Sequence, residues 1–250
     1  MFAQRPSAIG VAVIHRLCLT LLGDFQLHVD GQPISLTAAS ERIVAFLALR
    51  DRPVSRVHMA GVLWSNTSDA RAMGSLRTAI WRLGPLRAEI LVTERERLAL
   101  GNRVEPDVRE LIATARQVCS QPPDERSISI LSCELLPDWY DDWVAAERDL
   151  LDELRLAALE QLSDALRANG KLTQAVRAAL AAVCADPMRE SAHRALVASY
   201  LAEGNRAKAL RHLRAFRIRL RDELGIEPCE ELAALTRECQ GAGRIGVTLA

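Results

Sequence analysis

Between Ala70 and Leu83 the sequence sets apolar and polar residues at the period of an α-helix. At about 100° per residue, Ala72, Met73, Leu76, Ile80 and Leu83 share one stripe, and Arg71, Gly74, Ser75, Thr78 and Arg82 lie opposite. Arg77 and Trp81 take the flanks. A helix of this kind must bury its apolar stripe against neighbouring elements and leave the arginine face outside. Small residues between arginines let such a helix sink into a DNA major groove, where Arg takes guanine edges or phosphates. A surface helix with a solvated basic face has the same profile, so the surrounding sequence has to separate the two.

Charge is unevenly spread. The whole chain carries 32 basic and 32 acidic side chains. Residues 1–104 hold 13 basic against 8 acidic, and residues 105–250 hold 19 against 24. The N-terminal part is therefore cationic and suits a polyanionic partner. Lys171 and Lys208 are the two lysines among 30 arginines, a bias that fits GC-rich coding better than selection for phosphate geometry.

A chain of 250 residues with 49% hydrophobic and 26% charged content is long enough for two globular domains, each with its own core. No run reaches the roughly 18 apolar residues that span a bilayer, and the apolar start at 9–14 is cut by His15 and Arg16. Six cysteines, at 18, 119, 133, 184, 229 and 239, make no CxxC pair and stand beside no histidine at zinc-finger spacing. They read as reduced, mostly buried thiols of a cytoplasmic protein with no membrane association.

Along the chain, residues 17–36 alternate and turn about Asp30-Gly31, predicting a small antiparallel sheet. Helices follow over 38–50, closed by Pro53, and from an N-cap at Ser55 to Trp64. The loop 65–69 delivers the arginine-bearing helix, and 89–93 with 97–101 reads as a closing hairpin. Three helices between a leading sheet and a trailing hairpin make a winged helix. In such motifs the second helix of the helix-turn-helix enters the major groove, here residues 70–83. Arg95 and Arg97 then sit on the wing, alternating with Glu94 and Glu96. Trp64 and Trp81 read as core or packing residues, because duplex DNA offers no free base face to stack on.

From residue 105 the periodicity is helical almost throughout. One helix runs over 108–118, residues 121–124 are a linker-like break, and a helix of about 25 residues ends at Asn169-Gly170. Ala168, Gly170, Ala175 and Val176 return 34 residues later as Ala202, Gly204, Ala209 and Leu210, the period of tetratricopeptide-type helix pairs. Such a solenoid is an interaction surface rather than a catalytic one. A plain helical bundle with chance repetition is the alternative.

Signs of catalysis are absent from the sequence. Asp138, Asp141 and Asp142 cluster, but they have no histidine beside them, and acids at a helix start are expected on dipole grounds. His193 and His212 stand alone in the repeats and read as surface or packing residues. No Walker-type loop, nucleophile elbow or HExxH occurs. The chain reads as a non-enzyme without cofactor or metal.

The series Leu21-Leu22-Gly23-Asp24-Phe25, Ala45-Phe46-Leu47-Ala48-Leu49, Leu63-Trp64, Ser75-Leu76-Arg77 and Ile80-Trp81-Arg82-Leu83 resembles the winged-helix domain of the Streptomyces antibiotic regulatory protein (SARP) family, a relative of response-regulator effector domains. Its companion, the bacterial transcriptional activator domain, is matched by residues 136–144, Asp186-Pro187-Met188-Arg189-Glu190-Ser191-Ala192-His193, Ala202-Glu203-Gly204-Asn205 and residues 223–228. The resemblance runs from about 17 to 240. It implies a promoter-binding activator that recognises direct repeats of double-stranded DNA, often as a homodimer, and contacts RNA polymerase. No nucleotide-binding switch domain and no phosphoacceptor receiver domain is legible within these 250 residues, and the loop 65–69 has no proline or basic residue to mark a polymerase contact.

The expected architecture is mainly α with small β: an extension over 1–16, a winged helix-turn-helix over 17–104, an all-α tetratricopeptide-like domain over 105–240, and a tail over 241–250. Arg71, Ser75, Thr78 and Arg82 are the expected base-face residues, Arg77 and Arg87 the phosphate partners, and Arg95 and Arg97 the wing contacts. The competing classes are a repeat-based protein-interaction adaptor whose winged helix has lost DNA binding, and a small-molecule sensor with its ligand in the helical half.

Overall fold

The computed structural model describes residues 16–50, 52–118 and 125–241. The expected extension before Arg16, the break at 121–124 and the tail from 242 lie outside the described residues, as does Cys119. The chain divides into two compact units, one ending at Asp107 and one starting at Val108.

The first unit opens with β1 (Leu17–Thr20), β2 (Gln26–Val29) and β3 (Gln32–Ile34). β1 and β2 pair antiparallel, with Leu17 opposite Val29 and Thr20 opposite Gln26. Leu17 and Leu19 point into the core, the alternation expected of a half-buried strand. Asp30 and Gly31 both have positive φ, at 50° and 80°, which makes the two-residue link to β3 a type I′ hairpin turn. The helices follow as α1 (Ala38–Ala48), α2 (Arg56–Leu63) and α3 (Asp69–Arg82), and the wing as β5 (Leu91–Glu94) and β6 (Arg97–Leu100). Phe46, Met59, Leu63, Leu76 and Leu98, drawn from all three helices and the wing, are fully buried and form one core.

Three elements of this unit were not legible in the sequence pattern. β4 (Val54–Ser55) is two residues long and joins β6 to make a sheet in the order β4-β6-β5. β7 (Val104–Pro106) lies parallel to β1 and completes the order β3-β2-β1-β7. The carboxylate of Asp107 accepts the N–H of Leu21 at 2.9 Å and of Leu22 at 3.1 Å, fastening the end of this unit to its first strand. α4 (Arg87–Ile90) occupies part of the hairpin expected from residue 89, so the strand starts at Leu91 instead. Pro85 explains the shift. It opens the 3₁₀ turn Gly84–Leu86, where its fixed φ favours a helical start, and the turn continues into α4. Gly101 is required by the same junction. A Cβ there would stand 2.1 Å from the Glu89 carbonyl oxygen, and the Gly101 N–H donates to Ile90 O at 2.7 Å.

The second unit is helical: α5 (Asp107–Gln117), α6 (Glu125–Leu131), α7 (Asp142–Ala168), α8 (Leu172–Ala185), α9 (Glu190–Ala202), α10 (Arg206–Leu224) and α11 (Glu230–Gly241). The 34-residue repeat is a repeated turn. Gly170 and Gly204 carry φ of 72° and 75°. The N–H of Lys171 donates to Leu166 O at 2.9 Å, and that of Asn205, 34 residues on, to Tyr200 O at 2.8 Å. Ala175 and Ala209, equivalent positions, are both fully buried where paired helices approach. Arg148 holds the loop before α7 by donating to Leu135 O, Leu136 O and Trp139 O. Asp141 stands at the N-cap position of α7 and Asp142 in its first turn, where the helix dipole favours acidic side chains.

Two expectations are corrected. Of the five described cysteines Cys239 is buried, Cys18 and Cys133 are half-buried, and Cys184 and Cys229 are exposed, because the last two fall on the outer sides of amphipathic helices or at a helix start. His193 and His212 are not solitary. Their ring nitrogens meet at 2.8 Å, since the fold of α9 back along α10 brings positions 19 residues apart face to face.

Candidate nucleic-acid interface

α3 presents the two faces its sequence predicts. Ala72, Leu76, Ala79 and Ile80 are buried, and Arg71, Arg77, Thr78, Trp81 and Arg82 are exposed. Ser75 and Gly74 lie half-buried between the arginines. The Thr78 hydroxyl donates to Gly74 O at 3.0 Å, so its proton is engaged within the helix. The helix is latched to α1. Ser40 Oγ donates to Ala79 O at 3.0 Å and lies 2.9 Å from Thr37 Oγ1, whose proton it accepts. Ala79 is in the last turn of α3, where carbonyls have no partner further along the helix, so the latch satisfies a buried acceptor.

Ion pairing distinguishes the arginines around α3 from most of those in the helical unit. Among the described residues, no carboxylate lies within ion-pair distance of Arg56, Arg71, Arg77, Arg82, Arg87, Arg95 or Arg97. In the helical unit Arg155 pairs with Asp152 at 2.6 Å, Arg189 with Glu160 at 2.8 Å and Glu153 at 2.9 Å, and Arg217 with Glu227 at 2.8 Å. Guanidinium groups left without carboxylate partners are the electrostatic footprint of a surface that receives an anion.

A cavity of about 490 Å³ opens beside α3. Arg77 of α3 and Arg87 of α4 line it together with Arg56, the first residue of α2, against a backing of Ile80 and Leu91. Trp81 and Thr93 complete its wall. The Arg56 N–H donates to Glu96 O at 3.0 Å, which fastens the start of α2 to the wing turn.

Arg77 and Arg87 are thus brought together. Arg71, Ser75, Thr78 and Arg82 remain outside the cavity on the open face of α3. Arg95 and Arg97 are exposed on the wing, with Arg95 in the turn at φ 54° and Arg97 opposite Glu94 in the ladder. Sequence reasoning missed Arg56 and misread Trp81. Trp81 is 76% exposed and belongs to no core, because Ala79 and Ile80 already fill the inward positions of that turn. Its flanking angle on the helical projection was the available signal. Trp64 is half-buried.

The helical unit has a second concavity, of about 650 Å³, walled by α7, α9 and α11 and containing Gln161, Ala195, Ala198 and the paired charges Arg194 and Glu231. Among the described residues no group of three His, Cys, Asp or Glu side chains could hold a metal, and no helix is long and apolar enough to cross a membrane.

The family model of the bacterial transcriptional activator domain matches residues 130–240. The regulatory protein AfsR of Streptomyces coelicolor is 26% identical over 223 residues, covering 83% of this chain and 22% of AfsR. The structure of Mycobacterium tuberculosis EmbR in complex with a low affinity phosphopeptide superposes with a TM-score of 0.72 at 24% identity, over 92% of this chain and 66% of that one, and shares its fold. The chain therefore spans less than a quarter of one relative and about two thirds of the other. Residues 130–240 thus match a bacterial transcriptional activator domain, and most of the chain is similar in sequence to the regulatory protein AfsR and in fold to EmbR.

Proposed function

We propose that the chain is a sequence-specific DNA-binding activator. α3 reads base edges in the major groove through Arg71, Ser75, Thr78 and Arg82, and Arg77 and Arg87 hold backbone phosphates. Arg95 and Arg97 reach the flanking backbone or minor groove from the wing. The observation that carries this reading is the contrast in ion pairing. The arginines around α3 have no carboxylate partners among the described residues, whereas most arginines of the helical unit are paired. Arg is the side chain suited to bidentate recognition of guanine and phosphate.

The helical unit pairs protomers on direct repeats and engages RNA polymerase. Its concavity between α7, α9 and α11 supports a protein-binding role. Selection of purified protein on a randomised duplex library, followed by a salt titration of the best site, tests the whole reading. Enrichment of spaced direct repeats, with a log–log salt slope of several units at roughly 0.9 per neutralised phosphate, is the expected result. Absence of both enrichment and salt-dependent binding leaves the adaptor reading in its place.

A further inference from the structure

We infer that the cavity lined by Arg56, Arg77 and Arg87 seats one phosphodiester of a DNA backbone, with the Trp81 indole packed against the adjoining deoxyribose. This rests on the DNA-reading function proposed above and assigns to it two residues, Arg56 and Trp81, that the reading helix alone does not supply.

Three cations from three different elements, the start of α2, the middle of α3 and the start of α4, line one space of about 490 Å³. Like charges gathered in this way repel unless an anion joins them, and none of the three has a carboxylate partner among the described residues. Ile80 and Leu91 are each 6% exposed and back the site with apolar surface. That backing limits water around a bound anion and strengthens each charge–charge attraction. Thr93 adds a neutral hydroxyl of the sort that commonly donates to phosphate oxygens.

The choice of a backbone phosphate over a free one follows from position and from Trp81. The cavity is continuous with the exposed face of α3 and with the wing, so a strand whose bases face Arg71 and Arg82 passes its backbone over it. An indole left 76% exposed beside three arginines is unfavourably hydrated in the free protein. In a duplex the base faces are stacked away, so the apolar surface open to it is the sugar. The cradle is also held in shape before binding. Arg56 N is bonded to Glu96 O, and α3 is latched through Ser40 and Ala79, so little ordering remains to be done when the strand arrives.

The test uses the full chain and the duplex with highest affinity from the library selection, with binding followed by fluorescence anisotropy across a salt series. Arg56→Gln, Arg87→Gln and Trp81→Ala are compared with Arg103→Gln, an exposed arginine outside the cavity that removes the same charge. Thermal melting checks that each variant folds, and Arg87→Gln substitutes for Arg56→Gln if the latter does not.

Arg56→Gln is expected to weaken binding about tenfold, as for loss of a charged hydrogen bond. It should lower the salt slope by about 0.9 with the ranking of sequences unchanged. Trp81→Ala should weaken all sequences alike at an unchanged slope, and Trp81→Phe should recover part of the loss. Arg56→Gln behaving like Arg103→Gln in slope and affinity overturns the proposal. So does a changed base preference, which puts Arg56 on a base edge, or a loss of inorganic phosphate binding with DNA affinity intact. A wild-type chain that retains no duplex overturns the DNA reading itself, and that is visible before any variant is made.

Discussion

The hydroxyl of Ser40, on the first turn of α1, donates to the carbonyl of Ala79 on the last turn of α3 at 3.0 Å, 39 residues away and fully buried. Thr37 completes the relay. Its Oγ1 receives the Ser40 N–H at 3.3 Å and passes its own proton to Ser40 Oγ. Thr37 thereby caps the start of α1 while Ser40 satisfies a carbonyl at the end of α3, and the bond between the two hydroxyls joins the caps.

Ser40→Ala leaves the Ala79 carbonyl buried without a donor, at a cost of about 1–3 kcal/mol. Thr37→Ala removes a cap and costs about 0.5–2 kcal/mol. Urea unfolding of the two variants, read on the transition of the winged-helix unit, should show both losses. Equal stability of Ser40→Ala and wild type means that the latch is not formed.

Arg82→Ala and Arg77→Ala separate base reading from backbone holding. Arg82→Ala should cost about 1–3 kcal/mol on the selected site and relax preference at one position. Arg77→Ala should weaken every sequence alike and lower the salt slope by about 1. Binding measured on the selected site and on single-base variants of it gives the answer. An equal loss on all sequences from Arg82→Ala removes it from the reading face.

Gly101→Ala brings a methyl group to 2.1 Å from Glu89 O, a backbone atom that cannot rotate away. The α4–β5 junction must shift to accept it, and overpacking of this kind costs about 1–3 kcal/mol. Arg87 opens the single-turn helix that leads into that junction, so DNA affinity should fall with stability. A melting temperature equal to that of wild type contradicts the close approach.

The histidine pair gives the helical unit an acid-sensitive stability. The His193 ring donates from Nε2 to Pro187 O at 3.0 Å, so its Nδ1 accepts from Nε2 of His212. Phe216 stacks on His193 with centroids 3.6 Å apart. Burial pushes His193 below the ordinary imidazole range, helped by the charge of Arg219 and opposed by the Pro187 carbonyl and by Asp186 and Glu190. Burial, then His193 and Arg219, take His212 down to about 4. The unfolded chain protonates near 6.5, so it binds more protons than the folded one between that value and about 4. Stability is then full above pH 6.5, falls as pH drops through this window, and levels off below it. His212→Gln keeps a donor toward His193 and should flatten this slope in urea titrations at pH 4 to 7. An unchanged slope places the pH dependence elsewhere.

The course of the chain was largely legible because amphipathic periodicity and turn chemistry are local. The stripe of Leu76 and Ile80, the Asp30-Gly31 turn and the Gly170 and Gly204 helix ends each follow from a few neighbouring residues, and so the winged helix and the repeated helix pairs could be read directly. The face of α3 followed as well, since a helix of known phase assigns each residue a side.

What the sequence left open depended on partners distant along the chain. β4 and β7 are too short to carry an alternation of their own, and they exist because β6 and β1 offer them backbone hydrogen bonds. Arg56 has no marker that distinguishes it from other arginines. Only the packing of α2 against α3 and the wing puts it beside Arg77 and Arg87. Trp81 looked apolar and therefore internal, but Ala79 and Ile80 had already taken the inward positions. The pairing of His193 with His212 required two helices to fold back on each other. Local propensity determined which elements form and which side of each is apolar. Convergence of side chains into a site is a property of long-range packing, and only the tertiary structure decided it.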